Sequence, residues 1–139
     1  MTRLEFETLR DLPGKKLFGD LVFASSEATS PVVTFDCVKI ENALDLPLRL
    51  NGRYNRLLPS VVFNFRIMGV GPICRVEVNG TMHRGSRTHK HSLVKEDDPR
   101  QNLPSIVDRP DLVGKSAREV WFVLCEQAKI EHVGQFVDP

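Results

Sequence analysis

The chain contains no Cys-x-x-Cys pair, which removes a structural zinc ribbon from consideration. It has no GxxxxGK[ST] and no GxGxxG stretch, so neither nucleotide-loop signature is present. Its longest apolar run, Val120 to Cys125, has six residues, far short of the roughly 20 that span a bilayer. No internal repeat and no low-complexity segment interrupts it. Residues Met1 to Arg10 mix charge with apolar side chains and hold no hydrophobic leader core, so a cytoplasmic protein that does not engage a membrane is expected. Net charge is nearly absent too. Nineteen basic and 18 acidic residues leave +1 over 139 positions, which argues against a charged tail or a disordered chain. With 41% apolar residues the composition is that of one globular domain over residues 1–139.

The three cysteines, Cys37, Cys74 and Cys125, cannot all pair within one chain. Each has apolar neighbours, and three buried thiols are expected, since an unoxidised cysteine packs as a small hydrophobe.

Local patterns suggest an α+β domain. Thr2 and Glu5 have capping-box spacing ahead of Leu9, which predicts a short helix over 3–11 stopped by Pro13-Gly14. The stretches 32–40, 61–67 and 73–78 are rich in β-branched and aromatic residues or alternate apolar with polar, and they read as strands. Asn51-Gly52, Gly69 to Pro72 and Asn79-Gly80 read as turns, with Thr88 to Val94 returning as a partner strand. Residues 96–111, with three prolines and five carboxylates, read as a loop. Ser116 and Glu119 form a second capping box, and Ala117, Val120, Trp121, Leu124 and Ala128 recur at helical spacing, which predicts a helix over 117–130. The expectation is an antiparallel sheet of five to six strands with a short N-terminal helix and a C-terminal helix packed on it.

The near-zero charge is a cancellation. Residues 1–48 carry −3, residues 49–100 carry +6 and residues 101–139 carry −2. The positive block is mostly arginine: Arg49, Arg53, Arg56, Arg66, Arg75, Arg84, Arg87 and Arg100, with Lys90 and Lys95. Arginine grips phosphate with two parallel hydrogen bonds and stacks on bases, so a phosphate- or nucleic-acid-binding face is one reading. Solvated outer faces of strands that happen to use arginine are the other.

Three of the four histidines, His83, His89 and His91, lie inside this block. On an extended segment His89 and His91 share a face at a spacing of about 7 Å, with Lys90 on the other. Two imidazoles near neutrality can take and return a proton, which suits cleavage of an RNA phosphodiester. A metal would need a third ligand from His83, Asp97 or Asp98, and polar histidines in a hairpin are the structural alternative. The expected site is metal-independent and needs no cofactor. His89, His91 and His83 are its candidate acid–base residues. Arg66, Arg84, Arg87, Lys90 and Arg53 are its phosphate contacts, and Tyr54 is a stacking or hydrogen-bonding group. His132 reads as structural or exposed.

The order Val76-Glu77-Val78-Asn79-Gly80, His83, a short loop, Thr88-His89-Lys90-His91 and a terminal helix resembles small uncharacterised bacterial and prophage proteins. These carry a His-x-His after a β-hairpin, and some are toxins of toxin–antitoxin pairs. The stretches 50–55 and 128–131 add to the likeness, which covers residues 46–132. The resemblance implies an RNA-directed, toxin-like activity centred on His89 and His91, with RNA and a cognate antitoxin as partners. The alternative is a non-enzymatic phage or mobile-element inhibitor that binds a nucleic-acid-handling host complex through its basic face.

Overall fold

Strand alternation organises the structure, a computed structural model that describes residues 3–80, 89–92 and 105–139. In β4 (Ser60–Ile67) Val61, Phe63, Phe65 and Ile67 are buried, while Ser60, Val62, Asn64 and Arg66 turn the other way and keep partial exposure. A period of two is what puts successive side chains on opposite faces of a sheet. Strands β2 (Val32–Ile40), β3 (Leu48–Asn55), β5 (Gly71–Val78), β6 (His89–Ser92) and β7 (Ser105–Asp108) join β4 in a six-stranded antiparallel sheet. Its order follows the chain, β2-β3-β4-β5-β6-β7. Two helices, α1 (Arg3–Asp11) and α2 (Ala117–Gln127), complete an α+β fold, together with a parallel pair of β1 (Lys15–Phe18) and β8 (Ile130–Val133).

The helices cover one face of the sheet. Trp121 of α2 is fully buried, with its ring centroid 5.6 Å from that of Phe63. Phe23, Phe35 and Phe136 close the same aromatic cluster. Helix α1 brings Phe6 and Leu9 into this core. A nine-residue helix is marginal alone, so those two side chains, each worth roughly 1.5–3 kcal/mol of burial, do much to hold it in place. Among the described residues no helix is long and apolar enough to cross a membrane.

Helix α2 starts where its capping box predicts. Ser116 Oγ accepts from the Glu119 amide and the Glu119 carboxylate accepts from the Ser116 amide, which also holds that carboxyl below its usual pKa. The helix ends at Gln127 rather than near 130. Lys129 takes a left-handed conformation at φ 53°, and Ile130 then enters β8 to pair with β1.

Three further details depart from the local patterns. Asn51-Gly52 is not a turn but the middle of β3. The missing side chain at Gly52 makes room for the Phe35 ring, which a Cβ there would approach to 2.3 Å. The chain reverses instead at residues 56–59. Residues 105–108, expected in a loop, form β7, because β6 offers an edge to pair with. The cysteines are not all buried. Cys74 is buried and Cys125 half-buried, its thiol pushed up to about 12 by burial, whereas Cys37 is exposed at a bulge of β2 with φ 55°.

Candidate nucleic-acid interface

The face of the sheet opposite the helices carries the polar residues of β2 to β5, and register arranges them in rows. In the first row Lys39, Arg49 and Arg66 are direct neighbours across β2, β3 and β4. The second runs Asn51, Asn64 and Arg75, and the backbone of β6 places His91 next in register. The third runs Thr34, Arg53, Val62 and Glu77, followed in register by His89 and Asp108. Adjacent strands lie about 4.8 Å apart, so three side-by-side cations in one row repel one another.

Few carboxylates offset that repulsion. Lys39 contacts Glu41 at 3.4 Å in an exposed pair, and Arg75 Nη2 contacts Glu77 at 3.1 Å. Arg49 Nη1 donates to the neighbouring carbonyl of Leu48 at 2.8 Å. Arg53 and Arg66 have no hydrogen-bond or ion-pair partner among the described residues. The buried atoms Asn64 Oδ1, Arg66 Nε and Arg75 Nε are also left without partners. Such groups are rare in folded proteins and costly to leave unpaired.

The structure brings some of the expected site residues together and separates others. Arg53 and Arg66 share the open face, and His89 and His91 occupy register positions in the rows of Glu77 and Arg75. Lys90 stands in the row of Val76 and Val107, the row that belongs to the core side in β5. Tyr54 is not on the open face: it pairs in register with Val33 and Val61 and packs against the core, its ring edge-on to Phe23 at 6.3 Å. His83, Arg84 and Arg87 lie outside the described residues. His132 is structural. Its Nδ1 accepts from Trp121 Nε1 at 3.1 Å, which leaves Nε2 to donate to the Gly19 carbonyl at 2.8 Å.

Sequence reasoning assigned no role to Asn64 or Glu77, and it placed Arg49 and Arg75 in the basic block without assigning them to the site. The signal was there as alternation. Arg49, Asn51 and Arg53 interleave with Leu48 and Leu50, Asn64 and Arg66 with Phe63 and Phe65, and Arg75 and Glu77 with Cys74 and Val76.

No family model, curated protein or solved structure matches the chain. A functional reading therefore rests on the chemistry of this face: an arginine-rich surface whose cations sit in register, with Arg53 and Arg66 lacking an anionic partner among the described residues.

Proposed function

We propose that the protein is a small toxin-like RNA-binding protein that lays the RNA backbone across the open sheet face and cleaves it with His89 and His91. The observation that carries the reading is the row Lys39–Arg49–Arg66, three cations directly opposite one another with one exposed carboxylate beside them. Like charges in cross-strand register destabilise a sheet unless something anionic lies over them. A polyphosphate backbone does this, because each phosphate takes two parallel hydrogen bonds from a guanidinium.

In the cleavage step one imidazole takes the proton of a ribose 2′-hydroxyl, and the 2′ oxygen attacks phosphorus. The 5′ oxygen leaves with a proton from the other imidazole, giving a 2′,3′-cyclic phosphate and a 5′-hydroxyl end. The arginines of the face stabilise the charge that builds on the phosphorane.

The test is incubation of purified protein with single-stranded RNA across a salt series, beside Arg49→Glu/Arg66→Glu and His89→Ala/His91→Ala variants. Salt-sensitive binding and cleavage are expected from the wild type, binding without cleavage from the histidine variant, and neither from the arginine variant. Absence of RNA binding by the wild type at low salt overturns the proposal. Equal cleavage by the histidine variant removes the catalytic roles of His89 and His91.

A further inference from the structure

Asn64 sits in the middle of the open face. It is two residues from Arg66 on β4, directly opposite Arg75 on β5 and directly opposite Asn51 on β3. Among the described residues the buried side-chain polar atoms without a partner number three, and all three belong to this patch: Asn64 Oδ1, Arg66 Nε and Arg75 Nε. The neighbouring amide is already engaged, since Asn51 Oδ1 accepts from the Cys37 amide at 3.0 Å. On Arg75, Nη2 is committed to Glu77, which leaves the Nε edge over.

The three open groups differ in kind. Arg66 Nε and Arg75 Nε are donors, and Asn64 Oδ1 is an acceptor. A phosphate offers only acceptors, so it can serve both arginines and cannot serve Asn64 Oδ1. A ribonucleotide supplies what is missing, because its 2′-hydroxyl is a donor held next to the phosphate. A deoxyribonucleotide does not. The three atoms themselves are buried, so access to them comes from movement of the side chains around them. The Arg75 side chain is 35% exposed and Arg66 is only partly covered, and long arginine stems can swing while their heads stay solvated.

We infer, on the basis of the RNA-binding reading above, that Asn64, Arg66 and Arg75 form a ribose-phosphate subsite. Arg66 and Arg75 hold one phosphate and Asn64 Oδ1 accepts the hydrogen bond of the adjacent 2′-hydroxyl. This contact makes the face choose RNA over DNA of the same sequence.

The experiment measures fluorescence anisotropy of three labelled 12-nucleotide strands of one sequence: RNA, DNA and 2′-O-methyl RNA, which keeps the oxygen and loses the donor. His89→Ala/His91→Ala protein is used so that the RNA survives. RNA is expected to bind about tenfold tighter than the other two, in line with one hydrogen bond to a buried group. Adding Asn64→Leu is expected to bring RNA affinity down to the DNA value, with Trp121 emission confirming a folded core. Adding Arg66→Gln is expected to weaken all three strands and to lower the salt slope by about one. Equal binding of RNA and DNA by the parent, or a preference that survives Asn64→Leu, overturns the subsite and leaves the RNA-binding reading standing. Absence of salt-dependent binding to any strand overturns both.

Discussion

Lys15, fully buried, donates from Nζ to the carbonyl oxygen of Leu9 at 3.0 Å. The same ammonium donates to the carbonyl of Arg10 at 2.8 Å and to that of Leu12, and it lies 5.9 Å from the centroid of the Phe65 ring. The last carbonyls of a helix have no partner within it and form its negative end. Lys15 therefore closes the C-terminus of α1 from the far side of the Pro13-Gly14 turn and ties it to β1.

That arrangement has a pH signature. Burial holds the Lys15 ammonium down to about 8, outweighing the opposing pull of Asp11. In the unfolded chain a lysine titrates near 10.4. Between these values the unfolded state binds more protons, so the Lys15 contribution to stability rises with pH from about 8 to about 10.4. The Cys125 thiol, raised to about 12, works in the opposite sense but is shared by any Lys15 variant and cancels in a comparison. Urea midpoints of wild type and Lys15→Met at pH 7, 8, 9 and 10 should show wild type gaining on the variant as pH rises. A constant difference across the series would rule this out.

The Arg49–Arg66 pair predicts a conflict between stability and binding. Arg66→Glu replaces two facing cations by an opposite-charge pair, which should stabilise the fold by roughly 0.2–1 kcal/mol. The same change removes a phosphate contact and should weaken RNA binding at least tenfold. Urea midpoints and RNA titrations on one preparation test both halves. A variant that loses stability while binding RNA as before would show that the row has no anionic ligand.

Gly52 is constrained by packing. A methyl group there would press on the Phe35 ring, so Gly52→Ala should cost about 1–3 kcal/mol in overpacking. Combining it with Phe35→Leu should recover part of that loss. Additive costs in the double-mutant cycle would mean that the two positions do not share space.

His132 links three distant parts of the chain, the tip of β1, α2 and β8. His132→Phe leaves the buried Trp121 N–H without its acceptor, at a cost of about 1–3 kcal/mol. Trp121 is the single tryptophan, so its emission reads both the melting temperature and the lost hydrogen bond. An unchanged melting temperature would show that the hydrogen bond adds nothing.

Much of this architecture is written in short stretches of chain. The Ser116/Glu119 capping box sets the start of α2, because both of its hydrogen bonds close within four residues. The alternation of Phe63, Asn64, Phe65 and Arg66 assigns each side chain to a face wherever the strand is placed. Charge counted along the chain locates the basic third, and the arginines of β3, β4 and β5 fall inside it.

What short stretches could not decide depends on which strand meets which, and in what register. β1 and β8 are separated by more than a hundred residues, and neither is long enough to declare itself a strand alone. Asn51-Gly52 has the composition of a turn, and only the Phe35 ring above it explains why it stays extended. Tyr54 adjoins Arg53 in sequence and yet faces the core, since neighbours on a strand point apart. The cation row is of the same kind: Lys39, Arg49 and Arg66 meet because the bulge of β2 and the unbroken β3–β4 register set the pairing, and a shift of one residue would send the arginines into the core. The sequence alone determined that the molecule is an α+β protein with a basic middle. Tertiary pairing decided that Arg49, Arg53, Arg66 and Arg75 of that block share one face with Lys39, because the register of a sheet is a property of several strands together.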